Sequence, residues 1–167
     1  MSLLEAQLDK HEVLEDNDQI VIEGFMDRYN VDYDEAKEIL IETKKFLELA
    51  AETTEDGGEG VFIDRPLLII DEMWHTFILH TRQYFSFCYK SFNRFIHHVP
   101  TTNKEKEAIN LRLKTEPSLV LKESEEKLKQ QYSRIYDKYG PETLLKWYET
   151  WAIKYTPEYI EKIKKAV

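Results

Sequence analysis

Four of the five histidines and the only cysteine of this chain fall between residues 71 and 98. They are His75, His80, Cys88, His97 and His98, with Asp71 just ahead of them. Imidazole, thiolate and carboxylate groups are the side chains that hold transition metals and move protons near neutral pH. Asp71 and His75 are four residues apart and share a face on a helix. There the aspartate can accept a hydrogen bond from one ring nitrogen of His75 and fix its tautomer. On one continuous helix Arg82 lies on the same side, two turns on, where it would pair with Asp71 or hold an anion. His80, Tyr84 and Cys88 repeat every four residues on another side, about 140° from His75. His75 and His80 therefore cannot readily ligate one ion, and the His-Glu-x-x-His pattern is absent. A metal centre needs His75 together with His98 or His97, and Asp71 as a ligand or as the group that orients His75. The ion expected there is a divalent transition metal such as zinc. Neighbouring side chains on an extended chain point opposite ways, so only one of His97 and His98 can face the site.

Each of these residues has a plainer role to set against the chemical one. His75 beside Trp74 can be a hydrogen-bonded structural residue. His80 reads as packing. Cys88 reads as a small buried hydrophobe among Phe85, Phe87 and Phe92. Trp74 and Tyr84 read as architecture, and His97 as a supporting or structural group.

The elements that must position these groups are helices. Asp64-Arg65-Pro66 opens a long one, since proline is tolerated in a first helical turn. It is expected over about 66–92, with Asn93 as a left-handed stop. Ile70, Met73, Trp74, Phe77, Thr81, Tyr84, Phe85 and Cys88 form one broad apolar arc on it, which predicts burial at the centre of a bundle. Pro100 disfavours helix at Val99, so His97 and His98 lie on an extended connector. Upstream, leucines over 2–14 suggest a short helix, and Asn17 or Asp18 caps the next, through Ile22, Phe25 and Tyr29, to about Asn30. Asp32 and Glu35 form a capping pattern for a helix to about Ala51. Residues 52–60 read as an acidic, glycine-rich loop. Downstream, Thr102 and Glu105 form a capping box. Pro117 starts a longer helix, with Leu121, Leu128, Ile135 and Tyr136 turned inward. Gly140-Pro141 breaks it, and Thr156-Pro157 starts the last helix.

Composition narrows the classes. A chain of 167 residues that is 42% hydrophobic can bury one core, and it has only five glycines and five prolines. One cysteine permits no internal disulfide and suits a reducing cytoplasm. No apolar run approaches the ~20 residues of a membrane span, and no signal-peptide pattern is present. Residues 1–72 carry 21 acidic and 6 basic side chains, whereas the rest carry 11 acidic and 17 basic. The net charge of −9 argues against nucleic acid as a partner of the whole chain, although a basic C-terminal half leaves that alternative open. Gly-x-Ser-x-Gly and Cys-x-x-Cys signatures are missing.

The pattern Asp71-x-x-Trp74-His75-Thr76-x-x-Leu79-x-x-x-x-Tyr84, followed by His98, resembles the glycine-rich domain-containing protein-like family. It looks nearer to that family's bacterial single-domain members, and the resemblance covers residues 64–100. It matches at Asp71, Trp74, His75, Tyr84 and His98. Phe77 stands where many members carry a second histidine, and the glycine-rich tail is missing. The resemblance implies no established reaction.

The expectation is an all-α single domain over residues 1–167, with about six to eight helices around the 66–92 helix. The expected role is a cytoplasmic binding or interaction protein, with a protein partner and an architectural Trp-His segment. The alternatives are a metal-dependent or acid–base enzyme using Asp71, His75 and His98, and a nucleic-acid or phage–host defence interaction protein.

Overall fold

A computed structural model describes residues 18–55 and 60–166, so the 2–14 stretch and Asn17 lie outside the described residues. Among the described residues the fold is all-α, without a strand. The helices are α1 (Asp18–Arg28), α2 (Tyr33–Glu55), α3 (Leu68–Leu79), α4 (Thr81–Phe92), α5 (Asn103–Thr115), α6 (Pro117–Leu145), α7 (Trp151–Lys154) and α8 (Pro157–Ile163). A 3-10 turn over Arg65–Leu67 leads into α3, and a π-helical stretch over Lys146–Thr150 precedes α7. No helix among the described residues is long and apolar enough to cross a membrane. The chain forms two compact units, one of residues 1–96 and 145–167 and one of residues 97–144.

In the first unit α3 is the buried helix. Ile69, Ile70, Met73, Trp74, Thr76 and Phe77 are all buried, so apolar side chains leave on several sides. Around it lie Val21, Ile22 and Phe25 of α1, Ile39, Leu40, Phe46 and Leu47 of α2, and the buried Trp147, Trp151 and Tyr155. Glu42 of α2 is buried and accepts from the Trp147 indole (2.8 Å), Lys45 (3.0 Å) and Lys146 (3.2 Å). Lys44 bonds both oxygens of Asp18 at 2.7 Å, a second buried ion pair that joins α2 to the start of α1. The end of the chain closes on α1 through Asn30 N–H to the Ile163 carbonyl (2.7 Å) and Lys165 N–H to that of Arg28 (2.8 Å).

Two helix boundaries differ from the sequence expectation. α2 runs past Ala51 to Glu55, so the first residues of the 52–60 loop are helical, and residues 56–59 lie outside the described set. No glycine or proline interrupts 52–55, and the Thr53 hydroxyl bonds back to the Leu49 carbonyl at 3.0 Å. The expected 66–92 helix is broken at His80, whose ψ of 65° leaves the helical region. The His80 ring turns back, and its Nδ1–H donates to the Thr76 carbonyl at 2.9 Å. Its own carbonyl accepts from Tyr84 N–H at 2.9 Å and begins α4. Because of the break, Thr81 and Phe85 are exposed instead of continuing the buried arc of α3.

The His80 junction lies against Gly24 of α1. A Cβ at Gly24 would sit 2.3 Å from His80 Cε1 and 2.7 Å from Nε2. Gly24→Ala is therefore expected to cost about 1–3 kcal/mol of stability, because the ring must leave Thr76 or α1 must shift. Combining it with His80→Ala should recover most of that loss in a urea melt. An equal loss in both backgrounds would show that the contact is not with the ring.

Asp64 stands ahead of the 3-10 turn, and its side chain makes no cap bond. Its Oδ1 is buried without a hydrogen-bond partner. Burial pushes the carboxyl up to about 6, although the Tyr148 hydroxyl pulls the other way. A folded-state value above the unfolded one makes the folded state hold the proton more tightly. This contribution to stability is complete below about pH 4 and is lost as pH rises through 6. Partial exposure holds the effect to about 1 kcal/mol. Asp64→Asn should flatten stability between pH 4 and 6, measured by denaturant midpoints, whereas the wild type declines across that window.

In the second unit, Thr102 caps α5 with both halves of the box: its hydroxyl accepts from Glu105 N–H, and Glu105 accepts from Thr102 N–H at 2.7 Å. Arg112 of α5 bonds both oxygens of Glu123 on α6, at 3.0 and 2.9 Å. α6 is broken inside at Gly140 (φ 79°, ψ 179°), ahead of Pro141. Gln131 and Ile135 are buried, but Leu121 and Tyr136 are exposed, contrary to the inward face expected for them.

Candidate metal centre

Asp71 and His75 stand one turn apart on α3, with His75 Nδ1 3.6 Å from Asp71 Oδ2. Successive residues on a helix are turned by about 100°, so Trp74 points inward where His75 points out. Trp74 is buried, whereas the His75 side chain is 47% exposed and that of Asp71 22%. Glu72, the other acidic residue of this turn, accepts a hydrogen bond from the hydroxyl of Tyr29, just past α1. Burial and that carboxylate push the Tyr29 phenol well above its ordinary range.

His97 and His98 lie on a connector, residues 95–102, that is neither helix nor strand. His97 is exposed, and His98 is half-buried. Arg82 is exposed on α4, beyond the break at His80, so the straight-helix argument that set it above Asp71 does not apply.

The start of the connector is held by α4. Tyr84 is buried, accepts from Trp74 Nε1–H at 3.0 Å and donates its hydroxyl to the Ile96 carbonyl at 2.6 Å. Phe77 and Phe95 meet its ring edge-on, with centroids 5.1 and 5.2 Å away. Burial pushes the Tyr84 phenol upward. Cys88, one turn further on, is fully buried. Burial raises its thiol, with the Ile96 backbone and the Tyr84 hydroxyl bonding to it and pulling the other way. A raised thiol is a poor nucleophile at neutral pH.

Two imidazoles and one carboxylate make a donor set of intermediate softness, suited to zinc, iron(II) or similar ions. Three protein ligands leave at least one coordination position for water or another ligand. Two supporting groups escape sequence reasoning. The Ile96 carbonyl is a backbone atom without a residue signature, and Glu42 is one of many acidic residues on an amphipathic helix.

Fold and candidate centre together define a small all-α protein with a His-rich connector beside a Trp-His helix. The family model described as UCP032817-like matches residues 16–137, and the chain belongs to that family. No curated protein and no solved structure matches the chain. The family's description names no activity, so function rests on the side chains themselves.

Proposed function

We propose that this protein binds a divalent transition-metal ion, zinc being the best fit, through Asp71, His75 and His98. One observation carries the reading: Asp71 and His75 stand one turn apart on α3 with His75 Nδ1 3.6 Å from Asp71 Oδ2, and His98 is the third ligand that the sequence pattern offers. Zinc bonds of about 2.0–2.1 Å set tetrahedral donor atoms about 3.3–3.4 Å apart. Asp71 and His75 are near that spacing at 3.6 Å. Trp74 keeps the architectural role that the sequence suggests, buried on the same helix.

The bound ion would polarise a ligand or water at its open position, and this is the route by which an activity would arise. The resemblance to the glycine-rich domain-containing protein-like family implies no reaction, and Phe77 stands where many members carry a second histidine. The residues that it singles out are the three ligands together with Trp74 and Tyr84. The cytoplasm suits a chain with one buried thiol. A protein partner is the second reading, favoured by the exposed Phe85 and Tyr89 rings, which lie side by side on α4 with centroids 4.4 Å apart.

The test is titration of the metal-free full chain with zinc by calorimetry, and with cobalt by visible absorption. One equivalent should bind, and cobalt should give the intense bands of a low-symmetry N/O site. Absence of saturable uptake of both ions would refute the proposal.

A further inference from the structure

We infer that Asp64 and Tyr148 form a proton-operated latch between the 3-10 turn that opens α3 and the π-helical stretch, closed while the carboxyl carries its proton. Both groups lie in the first unit. Asp64 stands where a helix-capping aspartate would bond the second or third N–H of the turn. Neither donor is open to it. Pro66 has no N–H, and the Leu67 N–H bonds the Asp64 backbone carbonyl at 2.9 Å. The carboxyl takes the Tyr148 hydroxyl instead, and its Oδ1 is buried without a hydrogen-bond partner. Tyr148 is brought there by the π-helical stretch, a rare geometry that recurs at functional sites. Trp147 and Tyr148 are adjacent in it and reach two different elements. The Trp147 indole donates to the buried Glu42 of α2 at 2.8 Å. That side is a fixed hold, since Lys45 and Lys146 bond the same carboxylate. The Asp64 side has one side-chain donor, and it is the side that can let go.

The charged groups on the elements packed against the turn are engaged elsewhere. Lys146 pairs with Glu38 (2.9 Å) and Glu42 (3.2 Å), Lys154 of α7 with Glu35 (3.0 Å), and Arg65 with Glu158 (3.6 Å). Glu149 is exposed, Glu72 accepts from Tyr29, and Asp71 lies beside His75. Burial therefore dominates at Asp64 and pushes its carboxyl up to about 6, against the Tyr148 hydroxyl and the residue's own backbone. While the proton is present, Oδ1 belongs to a neutral acid, and its burial is tolerated. As pH rises through 6 the proton passes to water and leaves an anionic oxygen buried without a donor, which costs far more. Water reaches that oxygen when the Arg65–Leu67 turn or the Tyr148 side chain moves. The folded-state value lies above the unfolded one, so the closed latch is the low-pH form and the open latch the high-pH form.

The test is a titration of the full chain between about pH 4 and 8, a window that brackets the ordinary aspartate value and the raised one. Nuclear magnetic resonance follows the Tyr148 ring signals, and hydrogen exchange follows the amides of Leu67 and residues 146–150. In the wild type the ring signals should move with a midpoint near pH 6. Exchange at these amides, corrected for its intrinsic pH dependence, should quicken about tenfold across the same step, the equivalent of one pKa unit. Asp64→Asn should abolish both changes. Tyr148→Phe keeps the ring and loses the donor. It should move the exchange midpoint to higher pH, because the hydroxyl favours the charged carboxylate. Flat ring signals in the wild type, or a step near pH 6 that survives in Asp64→Asn, would overturn the inference. So would an unmoved midpoint in Tyr148→Phe, a readout that a merely structural tyrosine would give. If Asp64→Asn fails to fold, the midpoint of Tyr148→Phe decides alone.

Discussion

Replacing Glu42 by alanine is expected to lower stability by about 3–5 kcal/mol. The carboxylate is buried among three donors: the Trp147 indole, Lys45 and Lys146. Lys45 is itself buried, and Trp147 is wholly buried. Truncation leaves an ammonium and an indole N–H without this acceptor, and the desolvation of both has already been incurred. Glu42→Gln keeps an acceptor for Trp147 and should cost less. The comparison is made by urea unfolding of both variants at neutral pH. A loss below 1 kcal/mol for the alanine variant would mean that water or another carboxylate replaces Glu42. The residue also ties α2 to the stretch that follows Leu145, more than 100 positions away in the chain.

Removing a ligand is the second large effect. Asp71→Ala and His75→Ala should each weaken zinc binding by more than about 100-fold, beyond the 10–100-fold typical of supporting groups. His75 is half-exposed, so His75→Ala should leave the melting temperature of the metal-free chain almost unchanged. His80→Ala should leave zinc affinity near wild type, because its ring is committed to the Thr76 carbonyl. This pattern separates a metal site from a structural one: affinity falls where stability does not. Wild-type affinity in His75→Ala would end the metal proposal.

Much of the local structure is legible in the residues. Thr102 and Glu105 form both halves of the predicted box, and Asn93 takes the left-handed conformation (φ 53°) expected of it. Gly140 breaks the helix ahead of Pro141 as the pair implied, and Glu35 N–H bonds the Asp32 side chain at 2.9 Å. These features involve partners within four residues, so sequence spacing is also spatial distance. Burial was less legible. Leu121 and Tyr136 lie on an amphipathic helix but remain exposed, because periodicity defines a face without saying that anything covers it.

The candidate centre divides the same way. By itself the sequence determined that Asp71 and His75 share a helix face, that His97 and His98 lie on an extended connector, and that Trp74 turns inward where His75 turns out. Helical and extended geometry are sufficient for each of these. Tertiary structure decided where the long helix breaks and which side chain holds the start of the connector. The break at His80 uses the space that Gly24 leaves on α1. The anchor is a hydroxyl bonded to the backbone of Ile96, twelve residues away. A carbonyl has the same chemistry at every residue, so only the folded path of the chain could select Ile96 as Tyr84's acceptor.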